Sequence, residues 1–224
     1  MNKLTLAIIP ITALILSLAS GIASAVPVQS VTATSMAFDS PTTVRIKYRQ
    51  DVNDYVFAGA FNTKASDTSG SFLAWCVDIF QSTFFGKSIT DFDRQTASTA
   101  LLASKTDALT SLATQSLGKV NNSLTSAAFQ LAIWEIANET NSVYGFTTGA
   151  FRAFDASDES IALATQWLNG LPTVSGVSAY SISILESSGY QDLAVFTEVP
   201  EPSSIAVLFA GLIGFAMTRR KFLK

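Results

Sequence analysis

The residue best suited to chemistry in this 224-residue chain is its single cysteine, Cys76, within Phe72-Leu-Ala-Trp-Cys-Val-Asp-Ile79. A chain with one thiol cannot close an internal disulfide. The sequence also has no histidine, which removes the usual base of a Cys-His dyad and the commonest partner ligand of a metal-binding cysteine. The thiol is therefore either an inert packed side chain or a nucleophile with another kind of partner, and we predict neither a metal nor a cofactor.

A second residue breaks the pattern of its surroundings. Gln130 places a primary amide inside a nearly all-apolar helical stretch, Leu124 to Ala137. An unpaired buried amide costs about 1–3 kcal/mol, so this side chain needs partners. Gln130 is either a core glutamine hydrogen-bonded to a loop or the acyl partner of Cys76, because a thiolate held against its carbonyl can displace ammonia and form a thioester.

The two segments resemble the motifs of the thioester domains of bacterial surface adhesins. Those domains carry the cysteine after an aromatic residue, as in Trp75-Cys76, and the glutamine in a Gln-x-Ala-Ile-Trp segment, as in Gln130-Leu-Ala-Ile-Trp134. The resemblance implies a β-rich part packed on a helical part, with a Cys76–Gln130 thioester between them. It also implies covalent capture of an amine, from a protein lysine or an amino sugar, and no enzymatic turnover. Phe129, where family members often have threonine, leaves open how the reacting amide is polarised.

Neighbouring side chains suggest supporting roles. Strand alternation predicts Asp78 on the same face as Cys76, where it could accept a proton, whereas Glu135 is rotated away from Gln130 on the helix. A solvated or capping carboxylate is the competing interpretation for both acids. Aromatic side chains near the motifs could shield the bond from water or simply fill the core; they are Trp75, Phe129 and Trp134, with Phe72 and Phe80.

Two other functions compete with covalent capture. A structural or polysaccharide-binding protein of the extracellular matrix would leave Cys76 free and buried. An extracellular hydrolase would use paired acids, for which Asp91 and Asp93 in Thr90-Asp-Phe-Asp-Arg94 are the candidates, although adjacent acids in a loop are usually just solvated.

The surrounding pattern predicts an α+β fold, with a sandwich-like or barrel-like β-rich part packed against a small helical part. Alternating or aromatic-rich stretches predict strands at Thr42 to Tyr48, Tyr55 to Phe61, Phe72 to Phe80, Tyr180 to Ile184 and Asp192 to Thr197. Apolar residues at helical spacing predict one or two helices over Thr96 to Leu117, a buried helix over Leu124 to Ala137, and a third over Glu159 to Leu168.

The first 25 residues have the organisation of a secretory signal peptide. Asn2-Lys3 is a basic start, Leu4 to Leu18 is an apolar run, and Ala23-Ser-Ala25 is a small-residue cleavage site. We therefore predict export, with Val26 as the mature N-terminus.

The C-terminal segment, residues 200–224, has a three-part order of Pro200-Glu201-Pro202, an apolar stretch from Ile205 to Met217, and the basic tail Arg219-Arg220-Lys221. Thirteen helical residues span about 20 Å, short of the roughly 30 Å hydrocarbon core of a membrane. The order resembles the PEP-CTERM sorting signal of Gram-negative, exopolysaccharide-producing bacteria. It implies a brief stay in the inner membrane, cleavage by an exosortase, and delivery to the cell surface or matrix.

Between the two signals, residues 26–199 have the length of one domain. The whole chain has 14 basic and 17 acidic residues; setting aside five basic residues and Glu201 in the terminal signals leaves 9 and 16, a net charge of about −7. A body with this charge repels phosphate backbones, which argues against nucleic acid as a partner.

Overall fold

The computed structural model describes residues 29–83, 85–154, 158–171 and 178–200. Within these ranges seven strands and four α-helices form. The strands are β1 (Gln29–Tyr48), β2 (Val52–Ala65), β3 (Ser71–Cys76), β4 (Ile89–Thr96), β5 (Phe151–Phe154), β6 (Tyr180–Ser187) and β7 (Leu193–Glu198). The helices are α1 (Ala97–Ala100), α2 (Ala103–Ser116), α3 (Ser123–Asn138) and α4 (Asp158–Gly170), with a 3-10 turn at Leu117–Lys119. The predicted signal peptide and the apolar sorting stretch lie outside the described residues.

The strands form an antiparallel ring. Their order is β2-β3-β7-β6-β4-β1-β5, and β1 also pairs with β2, so six strands close on themselves while β5 adds to the outer end of β1. The 20-residue β1 makes this closure, since its first residues pair with β4 and the rest with β2. A register shift between Asp39 and Thr42, next to Ser40 at φ 53°, bends β1 where it follows β2. This architecture confirms the predicted α+β class with a barrel-like β-rich part.

Helix α3 is the central element of the helical part. It begins with a capping box in which the Asn122 side chain accepts from the backbone N–H of Thr125 at 2.9 Å. Every residue from Ser126 to Ile136 is buried, because strands β1 and β2 cover one side of the helix and α2 and α4 cover another. An apolar helix with no polar face can be stable in water only in such a position.

The observed strands differ from the predicted ones at several points. The strand predicted over Phe72 to Phe80 ends at Cys76. Its continuation is replaced by a turn in which the Asp78 carboxylate accepts from the backbone N–H of Phe80 at 2.7 Å, a local bond that competes with strand pairing. β1 begins 13 residues before the predicted strand, and β4 and β5 were not predicted.

Candidate functional site around Cys76 and Gln130

On one side the end of β3 pairs with β7 as far as Cys76, and on the other side its neighbour is a helix instead of β2. The β2–β3 ladder stops at the pair of Phe61 with Ala74, two residues before Cys76. At that point Gly59 has φ 152°, and a Cβ there would lie 3.2 Å from the backbone of Pro41. This close approach of backbone segments favours glycine, and beyond it α3 takes the place of β2 beside β3.

Gln130 is the residue of α3 that completes the pairing of Cys76. Its Oε1 accepts from the backbone N–H of Cys76 at 3.0 Å, and its Nε2 donates to the backbone C=O of Cys76 at 2.8 Å. Both residues are buried, with 0% and 3% of their surfaces exposed. The amide therefore reproduces the two hydrogen bonds of a strand neighbour, which explains how a glutamine is accommodated in an apolar helix.

Other residues on the same face of α3 fix this arrangement. Ser126, one turn before Gln130, accepts from the backbone N–H of Ala60 at 3.0 Å. Asn138, two turns after Gln130, donates to the backbone C=O of Val77 at 3.4 Å. Because residues four apart share a helix face, these contacts hold Gln130 in register with the end of β3.

The backbone N–H of Cys76 also has an electronic effect on Gln130. It donates to the oxygen on which negative charge would develop if a nucleophile attacked the side-chain carbonyl. A donor about 3 Å from such an oxygen is the arrangement that stabilises tetrahedral intermediates. The strand backbone thus supplies one donor to the carbonyl oxygen of Gln130.

The thiol itself is held by a residue that the sequence did not single out. Cys76 Sγ donates to Oε1 of Gln191, which lies in the turn between β6 and β7, at 2.7 Å. The Thr83 hydroxyl donates to the same Oε1 at 3.1 Å, and Gln191 Nε2 donates to the backbone C=O of Asp78 at 2.6 Å. Gln191 is 115 positions from Cys76 in the sequence.

The thiol rests in its protonated form. Burial raises the pKa of Cys76 well above its ordinary value, and the negative charge of Asp78 raises it further. The S–H therefore acts as a hydrogen-bond donor toward Gln191, and any reaction of the sulfur must move this proton.

Asp78 lies two residues beyond the end of β3, so strand alternation does not set the direction of its side chain. Its carboxylate is half-buried and bonds to the backbone N–H of Phe80, while its charge acts on the thiol. A proton-accepting role for Asp78 remains a prediction. A second acid next to this turn is Asp192, whose pKa burial raises to about 6 although its carboxylate accepts from the backbone N–H of Ser187.

The three predicted shielding aromatics separate into two groups. Trp134, which is 2% exposed, lines the same cavity as Cys76 and Gln191. Trp75 and Phe129 are packed edge-to-face at 5.1 Å between ring centroids, and both contact Phe196. Because Trp75 precedes Cys76 on a strand, its side chain points to the opposite face. Trp75 and Phe129 are thus core residues next to Cys76 and Gln130 in sequence, and Trp134 is part of the cavity wall.

The cavity beside the thiol has a volume of about 630 Å³. Its mouth carries Phe57, Phe80 and Phe85, which are 44–57% exposed, and its walls include Asp51 and Asp54. Among the described residues that line it, none is a lysine or arginine. Two buried polar atoms of the lining, Trp134 Nε1 and Gln81 Oε1, have no hydrogen-bond partner in the described structure. The cavity therefore offers aromatic surface, negative charge and unsatisfied polar groups to a guest.

Glu135 lies away from the cavity, in line with its predicted rotation. It is fully buried, and its Oε1 accepts from the backbone N–H of Gly145 at 2.7 Å. Burial raises its pKa to about 8, and the like charge of Glu139 adds to this effect. The carboxyl group belongs to the contact between α3 and the loop that follows it.

The acids considered for a hydrolase do not form a comparable site. Asp91 and Asp93 lie on β4 with exposed side chains, and Asp91 accepts from the hydroxyls of Ser187 and Ser188 at 3.1 and 3.0 Å. Neither acid lines the cavity beside the thiol. In the part of the chain that the structure describes, no three His, Cys, Asp or Glu side chains are grouped so that they could hold a metal ion.

Residues 198–221 match the family model of the PEP-CTERM protein-sorting motif, which confirms the predicted sorting signal. A motif of this kind indicates export and surface sorting in Gram-negative bacteria. Pro200 is exposed at the end of the described chain, and Glu201, Pro202 and the basic tail lie beyond it. None of the helices in the described ranges is long and apolar enough to cross a membrane. No curated protein matches the sequence.

Similar solved structures include two kinds of surface protein. The N-terminal domain of the Streptococcus pyogenes pilus tip adhesin Cpa is 16% identical, with a TM-score of 0.45, over 78% of this chain and 99% of that domain. The N-terminal thioester domain of a surface protein from Clostridium perfringens is 14% identical, with a TM-score of 0.42, over 70% of this chain and 100% of that domain. A cysteine-to-alanine mutant of the Clostridium domain gives 13% identity and a TM-score of 0.44. The chain thus carries a PEP-CTERM sorting motif at residues 198–221. Solved thioester domains are among the structures similar to this chain.

Proposed function

We propose that this protein is an exported surface or matrix protein that captures amines covalently through a thioester between Cys76 and Gln130. The observation that supports this best is the pair of hydrogen bonds between the Gln130 amide and the backbone of Cys76. They place the Gln130 amide against the backbone of the residue that carries the chain's one thiol, across 54 positions of sequence, while the sulfur itself contacts the Gln191 amide at 2.7 Å.

Formation of the thioester needs no other reactant. The sulfur of Cys76 attacks Cδ of Gln130, the Sγ–Cδ bond forms and the Cδ–Nε2 bond breaks. The S–H proton leaves with the amide nitrogen as ammonia, so atoms and charge balance. The backbone N–H of Cys76, 3.0 Å from Oε1, stabilises the oxygen of the intermediate.

Capture is the same exchange with a partner's amine. The amine nitrogen attacks Cδ, a Cδ–N amide bond forms, the Cδ–Sγ bond breaks, and the amine's proton returns to the sulfur. Release would then require breaking a covalent bond, whereas non-covalent affinities reach a ceiling near 18–21 kcal/mol. Such a bond suits adhesion or cross-linking under conditions where dissociation would be harmful.

The partner is an amine-bearing molecule of the surface or matrix, either a protein lysine or an amino sugar. The aromatic and acidic lining of the cavity, and the absence of lysine and arginine among its described residues, favour a guest that arrives as a protonated amine and releases one proton to solvent before its nitrogen attacks. Two partners are transient and come earlier, during export. The inner membrane holds the apolar stretch of the sorting signal, and an exosortase cleaves near the Pro-Glu-Pro motif.

Intact mass of the exported, processed protein tests the proposal. We expect a mass lower than that of the sequence by one ammonia, and a Cys76→Ala variant without this loss. Methylamine should convert the protein to an adduct and expose a titratable thiol. A mass equal to that of the plain sequence, with a thiol that titrates in the denatured protein, would support the competing function of a matrix protein with a free, buried Cys76.

A further inference from the structure

The mouth of the cavity beside the thiol is built from two layers of aromatic rings. The outer rings, Phe57, Phe80 and Phe85, are exposed. Phe57 and Phe85 pack on the half-buried ring of Phe38, with centroids 5.2 and 4.8 Å apart. Phe80 packs edge-to-face on the half-buried ring of Tyr48 at 5.3 Å. The outer rings are therefore held in place by the inner ones while part of their apolar surface stays open, which is typical of a binding surface.

The charge at this mouth sets a condition on the amine that can react inside. Asp51 and Asp54 are exposed in the lining, and no lysine or arginine occurs among the lining residues that the structure describes. An amine enters such a cavity as an ammonium group, and the acidic lining opposes the loss of the proton that must precede attack. The cavity thus favours an amine with a low pKa. An amino sugar meets this condition, because electronegative oxygens on the neighbouring carbons lower its pKa below the value of about 10.4 for lysine.

Two buried polar atoms of the lining need a partner inside the cavity. Trp134 Nε1 can only donate a hydrogen bond and Gln81 Oε1 can only accept one, and neither has a partner in the described structure. Water that enters the cavity can meet both needs, so a guest that displaces this water loses affinity unless it supplies the same bonds. A sugar hydroxyl both donates and accepts. The stem of a lysine side chain has only methylene groups, and its ammonium group cannot accept from Trp134.

We infer that the partner captured by the thioester of Cys76 is an amino-sugar polymer, with the amine of one sugar unit inside the cavity and neighbouring units on the aromatic mouth. This inference rests on the proposed thioester function. The cavity volume of about 630 Å³ lies within the range of about 300–1,000 Å³ found for pockets that hold small molecules. The rings of Phe57, Phe80 and Phe85 then cover the apolar C–H faces of the sugars.

The capture step balances without a further reactant. The ammonium group of the sugar first releases one proton to solvent. Its nitrogen attacks the acyl carbon of the thioester, the C–N bond forms and the C–S bond breaks, and a second proton passes from the nitrogen to the sulfur. The products are an amide-linked sugar and a free Cys76 thiol.

Two matched probes test this inference. One is a tetramer of β-linked glucosamine, and the other is a tetrapeptide with blocked ends and one lysine. The full-length exported protein is purified, the fraction that has lost ammonia is counted by intact mass, and capture by that fraction is timed for each probe and for methylamine. Rates are measured over a series of pH values and expressed per unprotonated amine. A higher rate for the tetramer then reports recognition by the cavity and not the lower pKa of the amine.

Three substitutions separate recognition from reactivity. Trp134→Phe removes the N–H donor and keeps a ring, and Phe80→Leu removes a ring from the mouth and keeps an apolar side chain. Phe154→Leu is the control, since Phe154 lies on β5, is partly exposed and does not line the cavity. Thermal unfolding shows that each variant is folded. Phe80 is at the surface, so its substitution tests the inference even if Trp134→Phe does not fold.

We expect the tetramer to be captured at least about tenfold faster than the peptide. Trp134→Phe and Phe80→Leu should each lower the ratio of tetramer capture to methylamine capture about threefold to tenfold, the range for one lost hydrogen bond or aromatic contact. Phe154→Leu should leave this ratio unchanged. A peptide captured as fast as the tetramer, or a ratio that Phe80→Leu does not lower, would overturn the inference and leave the thioester intact. An unmodified protein that has lost no ammonia would instead refute the proposed function, and this inference with it.

Discussion

The side-chain amide of Gln130 bonds to the two backbone polar groups of Cys76, at 3.0 and 2.8 Å, and to no atom of the thiol. Because the sulfur takes no part in these two bonds, we expect a substitution of the side chain at position 76 to keep them. This separates two roles that are easily confused: a structural role of Gln130 as a substitute strand neighbour, and a chemical role that requires the sulfur. Substitutions at the two positions can distinguish them.

The first prediction concerns Cys76→Ala, Gln130→Ala and the double variant. If a thioester links the residues, each single variant abolishes amine capture and the double variant loses no more. The cross-link closes a loop of 54 positions; by analogy with a disulfide it stabilises the fold by about 4 kcal/mol. Either single substitution removes that term, so the two single losses measured by urea unfolding should exceed the loss of the double variant by about that amount.

Without the bond, the same three variants behave differently. Cys76→Ala keeps both hydrogen bonds to Gln130, whereas Gln130→Ala leaves a buried N–H and C=O unpaired at about 1–3 kcal/mol each. The single losses would then add within a few tenths of a kcal/mol despite the contact. Additive losses, with amine capture surviving in either single variant, would contradict the thioester.

The second prediction concerns Gln130→Glu, which is chemically identical to the product of thioester hydrolysis. A protonated carboxyl can accept from the N–H of Cys76 and donate to its C=O, but a carboxylate cannot donate. The folded-state pKa of Glu at this position should therefore lie above its unfolded value. Stability should be highest below the unfolded pKa and fall as pH rises, by about 2 kcal/mol or more between pH 5 and 8.

Urea unfolding of this variant at several pH values provides the measurement. Gln50→Glu is a suitable control, since Gln50 is exposed and the charge change is the same. Parallel stability curves for the two variants would show that the Cys76 carbonyl does not require a donor at position 130.

The proximity of Cys76 and Gln130 could be anticipated from sequence because each residue lies in a strong local pattern, Cys76 after an aromatic strand and Gln130 in an all-apolar helix; their reaction stays a prediction. The bounds of α3 agree within one residue at each end for the same reason. The contact of Gln191 with the thiol was not anticipated from sequence, because Gln191 lies in a turn that reaches Cys76 through the pairing of β7 with β3. β4 has an irregular burial pattern, with Ile89 and Phe92 buried three positions apart, so it lacks the alternation that marks a strand.

The third prediction concerns sorting. Replacement of Pro200-Glu201-Pro202 by alanines should leave the protein in the inner membrane, because the exosortase would lack its recognition motif while the apolar stretch that follows is unchanged. Fractionation of cells, with the unmodified protein alongside, measures the distribution. Surface delivery at the normal level would show that the Pro-Glu-Pro residues are not required.

The last prediction concerns Glu135. Its folded-state pKa of about 8 exceeds the ordinary value of 4.5, so the folded protein keeps a proton that the unfolded chain releases. The sign follows directly: stability from this group is complete below pH 4.5, declines as pH rises and is lost above pH 8. The shift sets an upper bound of about 5 kcal/mol for the effect.

Glu135→Gln keeps an oxygen for the N–H of Gly145 and cannot ionise, so its stability should exceed that of the unmodified protein at pH 9 and vary less between pH 5 and 9. Glu159→Gln, the same change at an exposed position of α4, should leave the pH dependence unaltered. If urea unfolding gives the same pH dependence for Glu135→Gln as for the unmodified protein, the buried carboxyl is not the group that makes stability decline in alkali.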